Sequence, residues 1–380
     1  FAADRPRSAA ERTERDPRTG HGFGERLVTE NSPSPLDGCL QPLLESLDTL
    51  LAIQRHLNPV FLNQLKEKAT VRAAPLQEGR EALAALDVTD DLKSVLDTSF
   101  ELAEKAIAAF GAIPDEPEGI FMAYRAIRYA PYAMEMLYPA VRESLKASRY
   151  FLEEDTREAR HERLLSASSR EDTGVLHFNN EREEKGGCSI YVPEDYCPDR
   201  AYPVVVAHHG GSGHGRAFLW TWLKEARSRE FILISPTARG DTWSIMQPDV
   251  DGQNIVAILE ATQQRWNIDS DRLLMTGISD GGTFTFMSGL GASSPFTHLA
   301  PIAASFHVMM MEVIGPANIK DRPIYLTHGL HDWMFDVAIA RVARDVLAEA
   351  GAEVVYREIP DLAHTYPRDE NAKILDWFLA

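Results

Sequence analysis

The sequence predicts an α/β protein: a doubly wound, mostly parallel sheet of eight strands, preceded by an all-helical N-terminal segment. Three observations predict it. From about Thr173 onward, short apolar runs alternate with helix-period stretches, the pattern of a sheet built by right-handed crossovers. Between Leu36 and Leu165 the apolar period is helical throughout. Within the alternating half, the apolar run Leu273–Met275 breaks into Gly277-Ile278-Ser279-Asp280-Gly281 and then a helix-compatible run from Thr283 to Leu290. Strand, tight turn and helix are the setting in which a G-x-S-x-G pattern carries meaning.

Residues 1–35 are rich in Arg, Glu, Pro, Gly and Ser and read as a loosely docked tail. Leu40, Leu43, Leu44, Leu47, Leu50 and Leu51 then fall on one helix face. Pro59 interrupts, and a short helix is expected over 60–69. Thr89-Asp90-Asp91 marks a helix start, with acidic residues favourable at its positive end. That helix runs to about Phe110, and helical pattern returns from Ile120 to about Leu165. The segment 36–170 is therefore expected to be helical, serving as a lid over a site or as a contact between copies of a homo-oligomer.

The remainder, 173–380, reads as the catalytic domain. Val175–Phe178 and Ser189–Val192 form a hairpin-like pair around Gly186-Gly187. Tyr202–Ala207, Phe231–Ile234, Leu273–Thr276, Leu299–Ala304, Ile324–Thr327 and Val354–Ile359 follow as strands. Helices are expected at 217–229, 254–265, 283–290, 337–350 and 372–379.

Composition narrows the function. The 380 residues hold 39 Lys and Arg against 57 Asp and Glu, a net charge of −18. No basic stripe stands out, which argues against nucleic acid as a partner. No apolar run is long enough to span a bilayer. The chain opens without Met and without a charged-then-apolar leader. Its three cysteines are Cys39, Cys188 and Cys197. Reduced thiols in a cytoplasmic protein are expected, with a Cys188–Cys197 bridge as the alternative.

A serine hydroxyl becomes a nucleophile when a base takes its proton and a third group orients that base. The order Ser, acid, His is present: Ser279, then Asp332 after the run Ile324–Gly329, then His364 after Ile359. Each follows a predicted strand, where an open parallel sheet gathers its site. Asp336 and Asp361 rival the acid. His328 and His331, and more remotely His208, His209 and His214, rival the base. The oxyanion of acyl transfer needs backbone N–H donors. The N–H of Asp280 is one, and Gly211 or the adjacent Ser212, in the loop His208–Gly215, is the other. His209 is read as a structural hydrogen-bonding residue. Trp220, Trp243 and Trp333 are expected to shape a substrate pocket, and Arg239 is the one cation noted on these loops. Metal-ligand spacing and phosphate-loop motifs are missing, so no cofactor and no metal is expected.

Ile268–Gly282, His209-Gly210-Gly211 and His328-Gly-x-x-Asp332 together resemble the polyhydroxybutyrate-depolymerase and feruloyl-esterase group. Similar stretches occur in dienelactone-hydrolase-like and prolyl-oligopeptidase-like enzymes. The resemblance spans roughly 173–380 and implies an α/β-hydrolase fold with Ser279, Asp332 and His364 as its triad. It implies a carboxylic ester hydrolase acting on a small-molecule or polymeric ester. A serine peptidase of prolyl-oligopeptidase type and a non-catalytic binding protein on the same fold are the alternatives. Two departures stand out: Asp280 where a small uncharged residue is common, and a helical segment without a counterpart in these families.

Overall fold

A computed structural model describes residues 34–114, 116, 118–246 and 248–380. The expected tail lies almost wholly outside these residues. Residues 34–380 form one compact unit.

Eight strands build one sheet: β1 (Gly174–Phe178), β2 (Cys188–Val192), β3 (Tyr202–His208), β4 (Ile232–Pro236), β5 (Ile268–Ile278), β6 (His298–Ile302), β7 (Pro323–Gly329) and β8 (Glu353–Ile359). Their spatial order is β1-β2-β4-β3-β5-β6-β7-β8. β2 runs antiparallel to both neighbours, and all pairs from β4 to β8 are parallel. The continuous apolar run of β3 is explained by burial on both sides, since helices cover both faces of a parallel sheet. Side-chain alternation divides it: Val205 and Ala207 enter one core, Val204 and Val206 the other.

The second core is closed by α11 (Val250–Arg265), α12 (Asp280–Gly289), α13 (Met310–Ile314) and α14 (Val337–Glu349), through Ile255, Phe284, Phe286, Ile314 and Leu347. The first is covered by α10 (Leu223–Arg229) and α15 (Asn371–Phe378) and continues without a break into the N-terminal helices. These are α1 (Pro35–Arg55), α2 (Leu62–Thr70), α3 (Ala73–Ala84), α4 (Asp90–Gly111), α5 (Gly119–Ile127), α6 (Tyr129–Leu137), α7 (Leu145–Tyr150) and α8 (Arg157–Ser166). Leu40, Leu43, Leu47 and Leu50 of α1 are fully buried in that shared core, as their spacing required.

Charged contacts add specificity where the helices meet the sheet half. Arg216, on the short helix α9 (Gly215–Phe218), donates to Glu135 of α6 at 2.6 Å. Arg160 of α8, 4% exposed, reaches Asp195 and Glu230 at 2.8 and 2.7 Å. Pairs this buried recover their desolvation cost only in good geometry, so their contribution is to the docking register more than to stability.

The sequence reading placed most strands within two residues. It missed α3, whose Pro75 sits in the first turn, where a missing N–H costs nothing. It also began β5 five residues late, because Asp269–Arg272 are polar and the last three of them are exposed at the strand's start. Helical pattern from Ile120 onward is broken into four α-helices joined by 3-10 turns. Cys39, Cys188 and Cys197 are all free thiols, so the Cys188–Cys197 bridge is not formed. Burial pushes the Cys188 thiol up to about 12. Among the described residues no helix is long and apolar enough to cross a membrane.

Candidate active site

β5 delivers Ser279 to the C-terminal edge of the sheet on a strained turn. Its φ is 56° and ψ −119°, a region that non-glycine residues rarely occupy. Neighbouring contacts hold it there. A Cβ at Gly277 would meet the Gly281 carbonyl at 2.5 Å, and one at Gly281 would meet the His209 carbonyl at 2.5 Å. Both glycines of the G-x-S-x-G pattern are thus demanded by close backbone approach. The Ser279 N–H donates to the Ile302 carbonyl of β6 at 3.0 Å, tying the elbow to the next strand.

The loops after β7 and β8 bring the partners. Ser279 Oγ lies 2.9 Å from His364 Nε2, and His364 Nδ1 lies 2.8 Å from Asp332 Oδ2. With Nδ1–H donating to the carboxylate, Nε2 is left to accept the serine proton. The Asp332 side chain is fully buried. Its other oxygen accepts the N–H groups of Met334 and Phe335 at 2.9 and 2.8 Å, which keeps the buried carboxylate satisfied. Phe335 packs edge-on against the His364 ring at 5.0 Å.

The rivals have other employment. Asp336 caps α14 by accepting the Ala338 N–H. Asp361 pairs in a fork with Arg55 at 2.8 Å. His328 is fully buried behind the acid, 3.3 Å from Asp332 Oδ2, and donates from Nε2 to the Phe335 carbonyl. His209 Nε2 accepts the Ala238 N–H at 3.1 Å and its Nδ1 faces the Gly210 carbonyl at 2.7 Å. Burial lowers its pKa to about 3 and that of His208 to about 4, so both are neutral scaffold rings.

The Asp280 N–H opens α12 with no side-chain cap consuming it. The Ser212 N–H is spent on the Asp241 carbonyl. Next to the elbow, the N–H groups of Gly210 and Gly211 make no hydrogen bond among the described residues, and Gly211 was the expected donor. The Asp280 carboxylate accepts the Thr242 hydroxyl at 2.5 Å and lies against Gly211, so its charge is directed to a donor.

The expected aromatic pocket is not what lines Ser279. Trp220 is 3% exposed and packs on Tyr138 and Phe151 in the shared core. Trp243, equally buried, stacks on Phe284 and donates to the His209 carbonyl, bracing the Gly-rich loop from behind. Trp333 turns toward the helices, donating to the Leu57 carbonyl and meeting Phe121 and Tyr124. Arg239 lies near Gly186, outside the cavity. A cavity of about 850 Å³ does lie over Ser279 and His364, and one wall comes from α5, α6 and the residue between them: Phe121, Tyr124, Tyr132 and Arg128. The sequence reading missed these because nothing local marks a residue that reaches a site more than 140 positions away.

The N-terminal helices also grip the two loops that carry the acid and the base. Tyr124 donates to the His364 carbonyl at 2.8 Å. The Ala363 N–H donates to the Arg55 carbonyl at 3.1 Å, and Asn58 donates to the His331 carbonyl at 3.2 Å.

No family model matches the chain. Part of it is 26% identical over 165 residues to a bifunctional acetylxylan esterase/xylanase of Neocallimastix patriciarum, covering 41% of this chain and 23% of that protein. A second match, 29% identical over 115 residues, is to acyl-protein thioesterase 1 of Neurospora crassa, covering 29% of this chain and 46% of that one. The chain therefore spans less than half the length of either relative. Among solved structures, a thermostable esterase overlaps 55% of this chain and 62% of its own at TM-score 0.44 and 24% identity. FphF, a fluorophosphonate-binding serine hydrolase of Staphylococcus aureus, overlaps 54% and 97% at TM-score 0.45 and 14% identity. The strand order, the serine elbow and the acid and base loops in their chain order are those of the α/β-hydrolase fold.

Proposed function

We propose that the chain is a serine hydrolase of carboxylic esters, working through an acyl-enzyme. The observation that carries this reading is the unbroken hydrogen-bonded series Ser279–His364–Asp332 at the carboxyl ends of β5, β7 and β8. His364 Nε2 takes the Ser279 proton as Oγ attacks the ester carbonyl. Asp332 orients the ring and stabilises the imidazolium. The N–H groups of Asp280 and Gly211 receive the oxyanion. His364 then protonates the departing alcohol, and a water activated by the same ring releases the acid. The esterase and thioesterase relatives support acyl transfer from an oxygen or sulfur ester.

The segment 36–170 is read here as a fixed wall and brace of the site, supported by its lining residues and its bonds to the His364 loop. Three free thiols favour a reducing compartment such as the cytoplasm. Turnover of short p-nitrophenyl esters by the protein and by Ser279→Ala tests the reaction. Activity should be lost in the variant, and full retention of turnover would refute the nucleophile.

A further inference from the structure

The cavity over Ser279 has the opposite sign to the protein around it. The chain carries −18, yet Arg125, Arg128, Arg182, Lys185 and Arg368 line this cavity against two carboxylates, Glu183 and Asp280. The Asp280 carboxylate already accepts the Thr242 hydroxyl. Among the described residues, none of the five cations forms an ion pair with a carboxylate. Among the described residues the two fully buried arginines are neutralised: Arg160 meets Asp195 and Glu230, and Arg227 meets Glu194 at 2.9 Å.

The half-buried Arg368 has no such partner. It sits four residues past His364 and donates to the Trp220 carbonyl at 2.7 Å and to the Thr221 hydroxyl at 3.4 Å, both neutral acceptors. Desolvation pulls its pKa down, and the nearby Glu225 carboxylate offsets this only in part. Thr365, 2% exposed, lines the same cavity, and its hydroxyl has no partner. A half-buried guanidinium bonded to no carboxylate, lining the same cavity as an unpartnered buried hydroxyl, is a site prepared for an external anion. Arg125, Arg128, Arg182 and Lys185 are exposed at the mouth, placed to draw that anion in.

We propose that the substrate is an anionic ester, with a carboxylate held by Arg368 and Thr365 while Ser279 attacks the ester carbonyl. This rests on the serine-esterase reading above. The planar, fixed charge of an arginine suits a carboxylate well.

Two matched pairs test it, one with the charge on the acyl side and one on the alcohol side: p-nitrophenyl hydrogen glutarate against p-nitrophenyl pentanoate, and para-acetoxybenzoate against its methyl ester. In at least one pair the anion should be favoured about tenfold or more in kcat/KM. That preference should shrink as salt rises. Arg368→Gln, and the exposed Arg128→Gln in case the change at Arg368 impairs folding, should each move the ratio toward one. Arg272→Gln, on a surface residue paired with Asp269 and outside the cavity, should leave the ratio unchanged. Equal or better turnover of the neutral ester in both pairs overturns the proposal. Failure of all four esters would instead count against the esterase reading. In that event calorimetry of glutarate with Ser279→Ala decides the anion site: binding weakened by Arg368→Gln upholds it, and no binding overturns it.

Discussion

The Tyr124 hydroxyl donates a 2.8 Å hydrogen bond to the carbonyl of His364, joining an N-terminal helix to the residue that faces the serine. The bond holds the backbone of the base and does not touch its ring. Tyr124→Phe removes one hydrogen bond of about 1 kcal/mol and leaves a buried carbonyl short of a donor. The expected result is a kcat lower by roughly fivefold with KM little changed, because His364 is positioned less often for proton transfer. A rise in KM with unchanged kcat would assign Tyr124 to substrate binding instead.

Thr242 and Asp280 make a second test. With the Thr242 hydroxyl gone, the carboxylate beside the oxyanion site loses the donor that holds its charge. Thr242→Val should lower kcat by about two- to fivefold, a modest effect because the contact is exposed to water. Adding Asp280→Asn should restore most of the loss. Additive losses in the double variant would show that charge is not the cause.

Gly281→Ala places a methyl 2.5 Å from the His209 carbonyl and 2.7 Å from that of His208. Neither neighbour can yield, since both belong to the backbone leaving β3. A stability loss of about 3 kcal/mol, read from urea unfolding, is expected, with activity lost alongside.

The buried imidazoles set a pH dependence. An unfolded histidine titrates near about 6.5, whereas His208 and His209 are lowered to about 4 and about 3 by burial. Between these values the unfolded chain binds protons that the folded one refuses, so stability rises with pH across that window. It is complete above about pH 6.5 and is lost as pH falls toward the folded values. His209→Gln should shrink the stability drop between about pH 7 and about pH 5 by roughly 1–2 kcal/mol. An unchanged drop would mean that other groups carry the acid sensitivity.

Much of the site could be read in the sequence, because its logic is local. A strand, a glycine-framed turn and a helix occupy adjacent positions around Ser279, and the acid and base each follow their own apolar run. Trp220 and Trp243 show the limit of such reading. Trp220 follows the Gly-rich loop and Trp243 the end of β4, and both turn inward, because a large apolar side chain gains more from a core than from a cavity. Which way an indole faces is decided by what packs on it, and Tyr138 and Phe151 are far away in the chain.

The sequence by itself determined the succession of the eight strands along the chain, the nucleophile turn and the order of Ser279, Asp332 and His364. Period, turn chemistry and chain order are properties of neighbouring residues. Tertiary structure alone decided that α1–α7 share a core with the sheet, that Tyr124 and Arg55 hold the His364 loop, and that unneutralised arginines face Ser279. These depend on contacts between residues far apart in the chain, where no local pattern specifies the partner and only packing into a common core brings them together.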